Sequence, residues 1–130
     1  MKPLAIILED EHEIRDLLEF ILKEAGLRVK AFPDPRSFLS EEKETMEADF
    51  MIADNHMPYM KGLDLIEHLK NNNIFFVKHV AVISGSWTEE DLEKARALGC
   101  RTISKPFGMF DIIGWIESCE GEFISQFLTP

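Results

Sequence analysis

No apolar run in this chain of 130 residues approaches the length that crosses a bilayer. The first run, Leu4–Leu8, is cut off at Glu9, so a signal-peptide layout is missing as well. Positive charge is scarce. Fourteen Lys and Arg stand against 24 Asp and Glu, for a formal net charge of −10. That shortage argues against direct nucleic-acid binding, which needs cations to neutralise phosphates, and against an anionic membrane surface. The acidity itself is the ordinary mark of a solvated surface. Cysteine is limited to Cys100 and Cys119, far apart and without metal-type spacing. They are expected to be reduced thiols in a cytoplasmic protein. No internal repeat or low-complexity linker is present. With 45% hydrophobic and 29% charged residues, 1–130 reads as one globular domain with a real core.

The organising stretch is Asp49–Gly62, DFMIADNHMPYMKG. Phe50–Ala53 reads as a buried strand that stops at Asp54. Asn55, Pro58 and Gly62 then mark a loop, and a helical pattern starts at Leu63. A carboxylate thus stands at the carboxyl end of an interior strand, on the edge where open parallel sheets bind ligands. Alone, Asp54 is as well explained as the start of a turn.

The rest of the chain repeats the pattern. Leu4–Leu8 is unbroken and apolar, as a strand covered on both faces requires. Helical spacing from Ile14 to Ala25 is stopped by Gly26. Leu27–Phe32 is a second strand, broken by Pro33 and Pro35, and Ser37–Met46 a weaker helix. Leu63, Leu65, Ile66 and Leu69 stripe the third helix, which ends at Asn71–Asn73. Val80–Ile83 is the fourth strand. Thr88 with Asp91 resembles a capping box ahead of a helix carrying Leu92, Ala95, Ala97 and Leu98, closed by Gly99. Arg101–Ser104 is the fifth strand. A last helix from about Phe110 puts Ile112, Ile113, Ile116 and Phe123 on one face. Five strands alternating with five helices predict an α/β doubly wound parallel sheet in the flavodoxin-like order 2-1-3-4-5.

Parallel strands all finish on one edge of the sheet. Strand one ends in Glu9 and Asp10, strand three in Asp54, strand four in Ser84 and strand five in Lys105. Each has a dull explanation as a cap or a turn; their joint occurrence does not. Carboxylates at roughly 4 Å repel by about 4 kcal/mol per pair at an effective dielectric near 20. A hard divalent cation removes that cost, and oxygen ligands with room for water suit Mg²⁺. The lysine ammonium, the serine hydroxyl and the cation match the three equatorial oxygens of a transferring phosphoryl group, with an Asp54 oxygen as nucleophile.

These residues, with Met57-Pro58 and Gly62 after Asp54 and with Lys105-Pro106-Phe107, make the chain resemble the receiver domain of two-component response regulators from Leu4 to about Cys119. A stand-alone, chemotaxis-regulator-like member is the expectation. The resemblance implies that Asp54 is the phosphoacceptor. It also implies that Glu9 (through water), Asp10, Asp54 and the backbone carbonyl of His56 hold Mg²⁺, and that Ser84 and Lys105 sense the phosphoryl group. The Lys105–Pro106 bond is expected to be cis. The donor would be a sensor histidine kinase or a histidine phosphotransfer protein, and the output a downstream protein target. Such a switch catalyses its own phosphotransfer and dephosphorylation without being an enzyme for another substrate.

Several positions depart from the family pattern. Ser84 replaces the commoner Thr, and Gly85 the usual Ala. Thr102 stands where members commonly carry a Tyr or Phe that turns inward, which puts the aromatic half of the switch in doubt. His56 and Ser86, each two residues beyond a site residue, are expected either to tune phosphoryl lifetime or to be plain exposed loop residues. Beyond Cys119, residues Phe123, Ile124, Phe127 and Leu128 exceed what a solvated end needs; they extend the last helix or form a dimer or partner surface. Two rival readings are a constitutive, unphosphorylated binding module on the same fold and the receiver portion of a longer regulator or hybrid kinase. A haloacid-dehalogenase-type phosphatase ranks low, because it needs a second Asp where His56 stands.

Overall fold

The computed structural model describes residues 2–41, 47–73 and 76–119. Five strands, β1 (Leu4–Leu8), β2 (Arg28–Phe32), β3 (Glu47–Asp54), β4 (Phe76–Ser84) and β5 (Arg101–Ser104), form one sheet in the order β2-β1-β3-β4-β5. All four pairings are parallel. The helices are α1 (His12–Glu24), α2 (Pro35–Leu39), α3 (Gly62–Asn71), α4 (Glu89–Leu98) and α5 (Met109–Cys119). The predicted architecture and strand order are those observed.

Alternation along the central strands splits the core in two. Ile6, Leu8, Met51, Ala53 and Val82 pack with Phe38, Leu63, Leu65 and Ala95, under α2, α3 and α4. Ala5, Ile7, Phe50, Ile52 and Ile83 pack with Leu18, Leu22, Trp115 and Ile116, under α1 and α5. Each such buried aliphatic side chain contributes about 1.5–3 kcal/mol.

Element ends depart from the expected ones for identifiable reasons. β3 and β4 begin earlier than their apolar runs because their first residues stay partly exposed, outside the zone that helices cover on both faces. The second helix starts at Pro35, not Ser37: Asp34 caps it by accepting from the Ser37 N–H at 2.8 Å, and proline suits the first helical turn. Its predicted continuation over 42–46 lies outside the described residues, as do Phe123 and the rest of the tail. On α4, Ala97 is exposed and the buried face carries Asp91 and Ala95. Thr88 caps that helix through the Asp91 N–H at 3.0 Å, but the Asp91 carboxylate is taken up by Asn55 and Lys61 rather than completing the box.

One glycine positions the site. The start of α3 lies so close to the end of β3 that a Cβ on Gly62 would sit 2.5 Å from the Asp54 carbonyl oxygen and 3.1 Å from its carbon. Both obstacles are backbone and cannot swing aside. Gly62→Ala is therefore expected to cost about 1–3 kcal/mol, as overpacking does, read as a lower urea midpoint with an unchanged slope.

Candidate functional site

The sheet brings the predicted residues to one rim. Asp54 ends β3 between two neighbours, and the Asn55 N–H donates to the Ile83 carbonyl at 2.8 Å. The Lys105 N–H donates to the Ser84 carbonyl at 2.9 Å, which ties the ends of β4 and β5 together. Glu9 follows β1, and its N–H donates to the Phe32 carbonyl at 3.1 Å. The peptide bond between Lys105 and Pro106 is cis, as expected.

Glu9, Asp54 and Ser84 are buried, and Asp10 is exposed. The Lys105 ammonium lies 2.8 Å from Asp54 Oδ2 and 3.1 Å from Glu9 Oε1. Asp54 Oδ1 accepts from the His56 N–H at 2.9 Å. Glu9 Oε2 accepts from the Glu11 N–H at 3.1 Å. Its other oxygen is close enough to Lys105 for ion pairing but lacks the alignment of a hydrogen bond, so it is a buried oxygen with no hydrogen-bond donor. Burial pushes the Glu9 carboxyl up to about 7; the Glu11 N–H opposes the rise and the charge of Asp54 adds to it. Burial also works against the charge on Lys105, but the hydrogen bond to Asp54 and the neighbouring Glu9 carboxylate outweigh it and hold the ammonium above its ordinary range.

Carboxylate oxygens of Glu9, Asp10 and Asp54 all lie within 4.8 Å of one another. Three acids around one ammonium leave an excess of negative charge, and one buried oxygen still lacks a hydrogen bond. A hard cation with oxygen ligands fits that set.

The remaining predicted residues fall in two places. His56 Nε2 lies 3.0 Å from Ser84 Oγ and 3.5 Å from Ser86 Oγ, so the three form a cluster beside the acids. Thr102 does not join them. It is half-buried within β5, paired with Val82, two residues short of the strand's end.

Four further residues shape the site and were not singled out by sequence. The Arg15 guanidinium donates to the carbonyls of Glu9 at 2.9 Å and Asp10 at 3.4 Å, holding the acidic turn. Asn55 is fully buried rather than a mere loop former. Its oxygen accepts from the Leu63 N–H at 3.1 Å and its amide donates to Asp91 at 3.2 Å. The Lys61 ammonium, 3.3 Å from Asp91, balances that carboxylate. Asn55 and Asp91 stand 36 residues apart in sequence, so neither gives a local signal of the pairing.

The family model for the response regulator receiver domain matches residues 5–117. The chain belongs to that family. The receiver domain is 27% identical over 114 residues to the regulatory protein VanR of Enterococcus faecium, covering 87% of this chain and 48% of VanR. It is 31% identical over 102 residues to the two-component response regulator PhoP of Pseudomonas aeruginosa, covering 78% of this chain and 44% of PhoP. The chain thus spans about half the length of the curated relatives it matches. In structure it resembles Vibrio cholerae chemotaxis protein CheY4, with a TM-score of 0.80 at 19% identity over 92% of this chain and 99% of that one. Among the described residues no helix is long and apolar enough to cross a membrane.

The charge imbalance around Lys105 has a measurable consequence. In EDTA, Asp10→Asn is expected to unfold at a slightly higher urea concentration than wild type, by up to about 1 kcal/mol, because one repulsive partner is gone. Mg²⁺ at tenfold its dissociation constant is expected to stabilise wild type by about 1.4 kcal/mol and Asp10→Asn far less.

Proposed function

We propose that this receiver domain takes a phosphoryl group onto Asp54 from the phosphohistidine of a sensor kinase or a histidine phosphotransfer protein. An Asp54 carboxylate oxygen attacks phosphorus, the phosphorus–nitrogen bond to the donor histidine breaks, and an acyl phosphate forms. The Lys105 ammonium, freed from Asp54 Oδ2, follows the charge onto a phosphoryl oxygen. The Ser84 hydroxyl donates to a second. Glu9 (through water), Asp10, Asp54 and the His56 carbonyl would hold Mg²⁺, which when bound would neutralise phosphoryl charge. Water later attacks phosphorus and returns Asp54 to its carboxylate. The observation that carries this reading is the Lys105 ammonium bridging the buried Asp54 and Glu9 carboxylates, with Asp10 completing a cluster of three acids around one cation.

The product is a switch acting on a downstream protein, in the cytoplasm, with no direct role on nucleic acid. Its span of about half its curated relatives supports a receiver portion of a longer regulator beside the stand-alone reading, in which 1–130 is one complete domain whose tail serves as an interface, including a homodimer one. The absence of a ring at Thr102 favours one other reading, a constitutive binding module that is never phosphorylated.

Incubation with acetyl phosphate and Mg²⁺ is expected to add one phosphoryl group to the intact protein by mass spectrometry, and none to Asp54→Ala. A wild type that stays unmodified would support the constitutive module instead. His56 supplies a second test. Its ring spans Ser84 and Ser86 beside Asp54 and is in position to obstruct approaching water. His56→Asn is expected to shorten the half-life of the acyl phosphate, timed by loss of the added mass; an unchanged half-life rejects the role for His56.

A further inference from the structure

The residue that ties the β4–α4 loop to the rest of the molecule is Trp87, for which the site chemistry described above has no use. Its indole N–H donates to the Ile103 carbonyl in β5 at 3.1 Å, and its half-buried ring packs on the core beneath α2, α3 and α4. The next residue, Thr88, caps α4. Trp87 therefore fastens together the loop after Ser84, the fifth strand and the start of the fourth helix.

The other end of this short loop is fastened by the Ser84 hydroxyl. That oxygen lies 3.0 Å from His56 Nε2 and accepts from the Ser86 N–H at 3.1 Å. The second bond matters most. It couples the direction of a side-chain hydroxyl to the backbone of the residue immediately before Trp87. Between them, Gly85 is exposed, and a Cβ added there would meet nothing within 4 Å. Gly85 brings no side chain into the path from Ser84 to Trp87; Ser86 brings a hydroxyl that lies 3.5 Å from His56 Nε2.

What Trp87 holds is otherwise tied mainly to α3 and the β3–α3 loop, by Asp91 with Asn55 and Lys61 and by Lys94 with Asp64 and Glu67. Among the described residues of α4, only Asp91 and Ala95 are buried. A shallow, open hollow of about 200 Å³, lined by Leu92, Arg96, Cys100, Arg101 and Thr102, lies beside the small Thr102 side chain.

We infer that Trp87 is a clip that reports the state of the phosphoryl site to β5 and α4: it is closed on Ile103 while Ser84 is held by His56 and Ser86, and it opens when the Ser84 hydroxyl turns to a phosphoryl oxygen. This rests on the phosphoacceptor reading given above. The hydroxyl reorients toward the phosphoryl oxygen, the Ser86 N–H loses its acceptor, the loop backbone relaxes through Gly85, and the indole N–H leaves the Ile103 carbonyl. No covalent step is involved beyond phosphorylation itself. The device gives this chain an aromatic reporter in the loop, in place of one on the fifth strand.

The test uses the full chain and its two indole N–H signals in a proton–nitrogen NMR spectrum, with Trp87→Phe serving only to assign the signals of Trp87 and Trp115. Mg²⁺ with beryllofluoride stands in for the phosphoryl group, and intact mass after acetyl phosphate treatment reports uptake independently. The expected result is a shifted Trp87 indole signal whose exchange with solvent becomes about tenfold faster, together with shifts in the Thr102 and Ile103 amides. A Trp87 signal that keeps its position and exchange rate while Asp54 takes up a phosphoryl group overturns the clip and leaves the phosphoacceptor reading intact. No uptake and no beryllofluoride response overturns both. Should Trp87→Phe not fold, Trp115→Phe makes the same assignment by elimination.

Discussion

A single ammonium group set between two buried carboxylates governs this molecule. Lys105 reaches Asp54 at 2.8 Å and Glu9 at 3.1 Å, where neither acid has bulk water to disperse its charge. One cation cannot balance two buried acids and a third at the rim. Burial raises the Glu9 carboxyl to about 7, the charge of Asp54 adds to the rise, and one Glu9 oxygen has no hydrogen-bond donor. A site optimised for stability alone would remove an acid, since buried ion pairs are weak stabilisers at best. Retaining all three keeps a place for added positive charge, and that is a functional property.

The sheet makes such a site possible at low conformational cost. In a parallel sheet every strand delivers its last residue to the same edge, so groups far apart in the chain meet without any long ordered loop. The price appears at the crowded junction of β3 and α3, where Gly62 has to pass the Asp54 carbonyl. Asn55 then satisfies the backbone there. It bonds its own strand's neighbour through its N–H, the start of α3 through its oxygen and the Asp91 carboxylate of α4 through its amide. The residue after Asp54 is thus anchored to two helices, which restricts how far Asp54 can move relative to them.

How legible a feature was in the sequence follows from how local its cause is. The ends of β1, β3 and β4 were readable because the covered part of a central strand is apolar and stops abruptly at a polar group, as Leu8 does at Glu9 and Ala53 at Asp54. Strand starts were not, because the early residues of β3 and β4 are half-exposed and carry mixed side chains. The second helix was displaced because proline breaks a strand and begins a helix equally well, and only the Asp34 cap decides between them. Arg15, Asn55, Lys61, Asp91 and Trp87 were out of reach for a different reason: each has an ordinary local role, and its importance comes from a partner that only the tertiary structure supplies.

The Ser84 hydroxyl shows how far such a site can push its surroundings. It already has two partners, His56 and Ser86. In the proposed switch, a phosphoryl oxygen has to outcompete them. Each neutral hydrogen bond given up costs about 0.5–1.5 kcal/mol, and each bond to a charged oxygen returns about 1.5–3 kcal/mol. Lys105 exchanges one charged bond for another, and Ser84 gains one charged bond for two neutral ones lost, so the net is about 1 kcal/mol or less. Driving a two-state element from 1:99 to 99:1 needs about 5.5 kcal/mol. The phosphoryl group alone therefore shifts the population only part of the way, and the partner protein that prefers the shifted state has to supply the remainder. In that proposed switch, phosphorylation and target binding are two inputs to one equilibrium, each strengthening the other by the same factor.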